Sequence, residues 1–215
     1  MYLPPAFREE RPEVLADLLA ARPLGLVFRA GVGGLAVDPL PFHLVGPAGP
    51  GGRLLAHVAR ANPILADLAA GAEVLVVFSG PDAYVSPAWY PSKAEGGRVV
   101  PTWNYVVVEI RGHARLRDDA AFTREVVDAL TAAHEAGRPE PWSTADAPEP
   151  YLAAQLKAIV GLEIEIASAV GKWKVSQNRR PDDRTGVAAG FTEEGQTEMA
   201  GLVAAGGAGT GGEIV

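Results

Sequence analysis

Cysteine is absent from the 215 residues. That excludes disulfide frameworks, thiolate metal sites, iron–sulfur ligation and cysteine nucleophiles, and it fits a reducing compartment. Positive charge is in short supply: 19 Lys and Arg against 26 Asp and Glu leave a formal charge of −7. No positive field surrounds the whole molecule, so generic polyanion binding is excluded and only a local basic patch remains. No apolar run reaches the ~18 residues that a membrane span requires. The opening MYLPPAFREERP has no basic start followed by an apolar stretch, so no signal peptide is read. The expectation is a soluble cytoplasmic protein. Four histidines, His43, His57, His113 and His134, fall at no metal-ligand spacing, and no Gly-x-Ser-x-Gly elbow is present. Glycine is plentiful, but its clusters carry no phosphate motif. Gly31-Val32-Gly33-Gly34 lies between two strand-like runs and opens no helix, and the glycines of the tail precede no Gly-Lys-Ser/Thr.

What is present points to one globular domain, at most with a small appendage. Residues 12–21 carry Val14, Leu15, Leu18 and Leu19 at helical spacing behind Pro12, and Pro23 closes that helix. Residues 24–30 read as a strand, 31–34 as a hairpin turn and 35–45 as the return strand. Pro39 and Pro41 place the return strand at an edge or on a bulge. Residues 53–59 are a third strand. Asn62 and Pro63 cap a short helix over 63–70. Residues 73–79 are a continuous apolar strand, 80–101 an aromatic excursion with a short strand near Tyr84, and 102–116 a long β-rich run. Asp118 or Asp119 caps a helix to Ala136, and another helix spans 150–160. Over 162–170, Leu162, Ile164 and Ile166 alternate with Glu163 and Glu165, a strand with one wet face. A weak helix covers 192–204, and GGAGTGGEIV is flexible by composition. Six or seven strands with helices between and after them predict an α+β, mainly β, antiparallel sheet closed or nearly closed into a barrel. The barrel spans residues 1–190 with a helical excursion near 118–160; residues 191–215 form a C-terminal helix and tail.

Three segments carry chemistry. In His57-Val58-Ala59-Arg60-Ala61-Asn62-Pro63 a strand ends, an arginine follows and a capped helix begins. Helix starts present N–H groups and a partial positive charge, and arginine adds a fork suited to phosphate; the alternative is an ordinary capped turn. Tyr84-Val85-Ser86-Pro87-Ala88-Trp89-Tyr90 and Pro101-Thr102-Trp103-Asn104-Tyr105 hold two of four tryptophans and three of five tyrosines among Ser, Thr and Asn. That mixture suits a flat heteroaromatic ligand, and equally suits core packing. Finally, Lys172-Trp173-Lys174-Val175-Ser176-Gln177-Asn178-Arg179-Arg180, with Arg184 beyond, opposes the acidic average. An anionic partner is indicated, either nucleic acid or a phosphorylated cofactor, against a solvated strand end with local ion pairs.

In this order the segments resemble the PaiB family of FMN-binding negative transcriptional regulators. The matching stretches are Met1-Tyr2-Leu3-Pro4 with Phe7, HVARANP, FSGPDAYVSPAWY, VPTWNYVVVEIRGHARL and IVGLEIEIASAVGKWKVSQNR, together covering residues 1 to about 190. The resemblance implies a split antiparallel β-barrel of the FMN-binding type and a homodimer with FMN near the subunit interface. It implies that His57, Arg60 and Asn62 bind the phosphate. Trp89, Thr102 and Trp103 would lie near the ribityl chain or ring, with Lys174, Gln177 and Asn178 reaching the same site. Where family members resemble Ala-x-His-Leu-Pro-Phe, this chain reads Ala36-Val37-Asp38-Pro39-Leu40-Pro41-Phe42, which removes a backbone donor at Pro39. The functional expectation is a cofactor-responsive repressor, with DNA contacted through Lys172, Lys174, Arg179, Arg180 and Arg184. The alternatives are an FMN-dependent oxidoreductase acting on a small molecule or NAD(P)H, with no catalytic residue assigned, and a barrel that has lost its cofactor. No metal is expected.

Overall fold

A computed structural model describes residues 1–31, 33–68 and 71–206. Part of the expected hairpin turn, the last two residues of the expected 63–70 helix and nearly all of the glycine-rich tail lie outside these residues. The chain gathers into two compact units. One holds residues 16–78 and 109–169; the other holds 1–15, 79–108 and the described residues from 170 onward.

The strands are β1 (Arg8–Glu9), β2 (Leu24–Gly31), β3 (Gly34–Pro41), β4 (His43–Val45), β5 (Arg53–Ala59), β6 (Glu73–Val85), β7 (Thr102–Arg117) and β8 (Ile159–Lys174). Seven of them form one sheet in the order β3-β2-β6-β7-β8-β5-β4, and β1 pairs with β8 off this path. The pairs β1–β8, β2–β3, β2–β6, β4–β5 and β5–β8 are antiparallel. β3 and β4 stand at opposite ends of the order yet are separated in sequence only by Phe42. Covalent continuity therefore brings the two edges together at that point, as a barrel requires.

The expected return strand over 35–45 is thus two strands. Pro39 and Pro41 sit in β3, which has a partner on one side only, so the edge expectation holds. The register from Leu24↔Pro41 to Gly31↔Gly34 is uninterrupted, so there is no bulge. Two residues apart, both prolines turn their missing N–H to the unpaired side, where the ladder loses nothing.

The expected break after Ser79 is absent: β6 runs on through Pro81 and Asp82 to Val85. The given register between β2 and β6 ends at Leu26↔Val77, so Pro81 lies past the last of those pairs. In β8 the wet face is also narrower than its alternation implies. Glu163 is buried, with its carboxylate between Arg53 at 2.7 Å and Arg117 at 3.6 Å.

The helices are α1 (Pro12–Ala21), α2 (Ile64–Leu68), α3 (Ala120–Glu135), α4 (Glu149–Lys157), α5 (Pro181–Glu193) and α6 (Thr197–Ala204). Asp119 caps α3 by accepting from the Phe122 N–H at 2.7 Å. One face of α3 buries Phe122, Val126 and Leu130 against Leu55 of β5. The sequence reading expected one weak helix over 192–204; the structure has two, and α5 begins inside the basic segment. Gly186 and Gly190 weaken α5 as an isolated helix by about 1 kcal/mol each relative to alanine. They are needed for packing: a Cβ on Gly190 would strike the Trp89 ring, and one on Gly186 the Trp89 carbonyl.

Within the 16–78 and 109–169 unit, the core is Val27, Leu54, Val58, Ile64, Leu68, Val76, Phe78, Ile110, Leu162 and Ile164, all essentially inaccessible. The opposite face of the β2–β3 hairpin is apolar and open. Leu24, Leu26 and Phe28 face Pro41, Pro39 and Val37 across the ladder, with Leu35 beyond. Leu35 is 90% exposed and Val37 50%.

Candidate functional site

The nine residues singled out in sequence divide between the two units: His57, Arg60 and Asn62 in one, Trp89, Thr102, Trp103, Lys174, Gln177 and Asn178 in the other.

β5 ends at Ala59, and the turn into α2 is held tightly. The Asn62 side chain accepts from the Ile64 N–H at 2.9 Å and donates to Asp38 at 3.1 Å. The Leu65 and Ala66 N–H groups bond to the Asn62 and Pro63 carbonyls. The N–H groups expected to be free at this helix start are therefore engaged inside the chain. Arg60 forks onto Asp118 at 2.7 and 2.8 Å and also reaches the Lys157 and Ile159 carbonyls. Their ion pair raises the Arg60 pKa and lowers that of Asp118, but both side chains are exposed. An exposed pair of this kind contributes little to stability, so an incoming phosphate dianion competes with Asp118 at little cost. Asp38 and Asp67 also bind the buried Arg29 guanidinium, which ties the β2–β3 hairpin to α2. His57 is half-buried, and its Nδ1 has no partner among the described residues. Burial pushes its pKa down, so the imidazole is held neutral.

In the other unit Trp89 packs edge-on against Phe191 and over Gly190, so its ring anchors α5. The start of β7 and the end of β8 form the polar cluster. Lys174 Nζ donates to Thr102 Oγ1 at 2.7 Å and to the Trp103 carbonyl. Trp103 is 53% exposed and meets Tyr84 edge-to-face at 6.1 Å. Tyr105 lies under two ammonium groups, Lys172 at 5.2 Å and Lys174 at 5.8 Å. Lys172 is buried and donates to the Tyr2 carbonyl. Arg179 lies over the Tyr90 ring. The structure gives none of Lys172, Lys174 and Arg179 a carboxylate contact among the described residues. Burial, then Arg179 and Lys172, push the Lys174 pKa down. Gln177 closes its own turn: Oε1 accepts from the Val175 N–H at 2.8 Å and Nε2 donates to the Trp173 carbonyl. Asn178 is exposed.

The five cations expected to face nucleic acid do not form one open surface. Lys172 is buried, Arg180 is paired with Glu95 and Asp182, and Arg184 donates to the Val203 and Ala204 carbonyls at the end of α6. Sequence reasoning missed Tyr2, Tyr105, Asn104 and Ser176. The signal for Tyr105 was present: period two along Trp103-Asn104-Tyr105 and Lys172-Trp173-Lys174 puts each aromatic pair or lysine pair on one face. Among the described residues no His, Asp or Glu group could hold a metal, and no helix is long and apolar enough to cross a membrane.

A family model described as "Putative FMN-binding domain" matches residues 1–168. The chain is 30% identical to "Protease synthase and sporulation protein PAI 2" of Bacillus subtilis, over 85% of each chain. It belongs to the PaiB family of FMN-binding proteins. An uncharacterised protein of Emericella nidulans is 32% identical over 91% of this chain and 92% of its own. The FAD and heme binding protein of Mycobacterium smegmatis superposes with a TM-score of 0.57 at 24% identity, covering 78% of this chain and 73% of that one. A conserved hypothetical protein of Mycobacterium tuberculosis gives 0.58 at 11%, covering 81% and 91%. The fold is the flavin-type split barrel, and the cofactor of this PaiB-family chain is FMN.

The residues present fit that group. FMN carries a phosphate of roughly −1.5 to −2 charge and a flat ring system. Three cations without carboxylate partners beside an exposed tryptophan and tyrosine supply what such a molecule needs.

Proposed function

We propose that this chain is an FMN-binding regulator of transcription that works as a homodimer. The observation that carries the flavin reading is the group Lys172, Lys174 and Arg179, left without carboxylate contacts in a chain of charge −7. We assign the FMN phosphate to Lys174, supported by the field of Lys172 and Arg179. The ring is assigned to the open faces of Trp103 and Tyr84, with Thr102, Gln177 and Asn178 shaping the rim. Trp89 packs against α5 and not against this wall, so it is assigned no direct contact with the ring. Arg60, with His57 and Asn62, is the second candidate for a phosphate, reached by displacing Asp118. When bound, FMN supplies one- and two-electron chemistry, and the protein supplies position and electrostatics.

The homodimer is supported by the apolar face of the β2–β3 hairpin, which a lone subunit leaves in water. The regulatory reading is supported by the relationship to the Bacillus subtilis protein, whose name ties it to protease synthesis and sporulation. Its DNA contact is assigned to Arg180, the exposed cation of the basic segment, with Arg179 beside it in the chain; the exposed ion pairs of Arg180 exchange readily for phosphate.

The test has two parts. Purified protein titrated with FMN should quench flavin fluorescence and gain thermal stability as RT ln(1 + [L]/Kd); no quenching and no gain reject the flavin reading. Gel retardation at low salt, with and without FMN, should show binding to fragments upstream of the regulated genes. Absence of retardation in both states rejects direct DNA recognition, and steady NAD(P)H oxidation by the FMN-loaded protein would assign it instead as an oxidoreductase.

A further inference from the structure

We infer that Asn104 and Ser176 are positioning residues that aim Lys174, and so set how the anionic end of FMN is held; this rests on the assignment of the phosphate to Lys174. Ser176 has φ = 65°, the one non-glycine residue with positive φ among the described residues. A serine in the left-handed region is strained and persists only where its surroundings over-determine it.

The surroundings do so here. Ser176 is 3% exposed and Asn104 1%. The Asn104 Nδ2 donates to Ser176 Oγ at 3.0 Å, and Ser176 Oγ donates to Asn104 Oδ1 at 3.2 Å. Among the described residues neither side chain has another hydrogen-bond partner, so each is the other's partner. Gln177 closes the same turn through the Val175 N–H and the Trp173 carbonyl. Three consecutive residues of β7 thus grip the end of β8. Thr102 and Trp103 accept from Lys174, and Asn104 holds Ser176 two residues further on. The first two hold the lysine head, and the third holds the turn that follows it.

The consequence is specific. A buried amide or hydroxyl that loses its partner carries a desolvation penalty, so this pair would be poor design if stability were its only use. Two apolar residues of the same shape would avoid the polar requirement. What the hydrogen bonds add is direction: they set the φ of Ser176 and hence the path of the chain between Lys174 and Arg179.

Ser176→Gly separates the two roles. Glycine accepts positive φ without strain, so the backbone is relieved while the hydroxyl is lost. In full-length protein the expected result is a thermal midpoint lowered less than in Asn104→Ala, because relief of the positive φ offsets part of the loss of the Asn104 partner, together with FMN affinity about tenfold weaker and an altered visible circular dichroism of the bound flavin. Asn104→Ala should do the same to the flavin signals, with a lower midpoint. Flavin affinity within twofold of wild type with an unchanged dichroism spectrum in Ser176→Gly overturns the proposal, whether or not Asn104→Ala folds. The Lys174 side chain is also titrated by NMR without FMN. In wild type it should lose its proton below the ordinary lysine range, because burial and then Arg179 and Lys172 disfavour the ammonium, and in Ser176→Gly it should move back toward that range. Should wild type fail to bind FMN, the flavin reading is lost, and the lysine titration alone decides the positioning role: no movement in Ser176→Gly overturns it.

Discussion

Trp89 rests its indole against the Cα of Gly190, leaving no room for a methyl group between them. Helix propensity and packing therefore oppose one another at this position. Alanine is the better helix former by about 1 kcal/mol, whereas overpacking a close contact costs about 1–3 kcal/mol. Packing wins because the obstructing atoms belong to a ring braced by Phe191. Gly190→Ala should lower stability by about 1–2 kcal/mol, measured by urea denaturation; a stabilised variant would show that the ring moves aside freely.

Asp118 stands on the Arg60 fork as an internal rival of any phosphate. Asp118→Asn should leave stability nearly unchanged, because the pair is exposed on both sides. The same change should tighten phosphate binding at Arg60 by a few-fold. Comparison of Arg60→Met with Lys174→Met in FMN titrations decides between the two phosphate candidates; Lys174→Met is expected to lose more.

The neutral state of His57 makes stability depend on pH. Its folded pKa lies below the ordinary histidine value because burial disfavours the imidazolium. Between that depressed value and about 6.5 the unfolded chain binds more protons than the folded one, so stability falls as pH falls through this window. His57→Leu should flatten the thermal midpoint between pH 7 and 5. An equally steep profile in the variant assigns the slope elsewhere.

Trp103 offers an open aromatic face beside Lys174. Stacking of a flat base on an aromatic side chain is worth about 1–3 kcal/mol, so Trp103→Ala should weaken FMN by about tenfold or more. Apo-protein stability should barely move, since the ring is half in water.

On the β2–β3 hairpin, Leu35→Asp with Val37→Asp replaces two exposed apolar residues by charges. Sedimentation should shift from dimer to monomer while far-ultraviolet dichroism is retained. A wild-type protein that sediments as a monomer removes this face from the dimer proposal.

Much of this protein is local in its sequence. Pro12 with leucines at helical spacing marks α1 to the residue, Asp118 or Asp119 marks the start of α3, and the strand-like run 53–59 and the long β-rich run 102–116 mark β5 and β7. These elements follow from capping, φ restriction and period, which each residue carries with it. The motifs that resemble the PaiB family were equally legible, because long specific runs need no fold to be read.

Other features depended on partners distant in the chain. α5 contains two glycines and a weak apolar pattern, and it forms because Trp89 and Ser92 meet it: Ser92 donates from both N–H and hydroxyl to the buried Asp183. Glu163 alternates like a solvent-facing residue, yet Arg53 and Arg117 arrive from β5 and β7 to neutralise it. Period alone cannot count charges on a neighbouring strand. The engagement of Arg60 by Asp118 and the union of Asn104 with Ser176 are likewise meetings across 58 and 72 residues of chain. Residue types state which chemistry is possible; strand register decides which donors are already satisfied and which remain for a ligand.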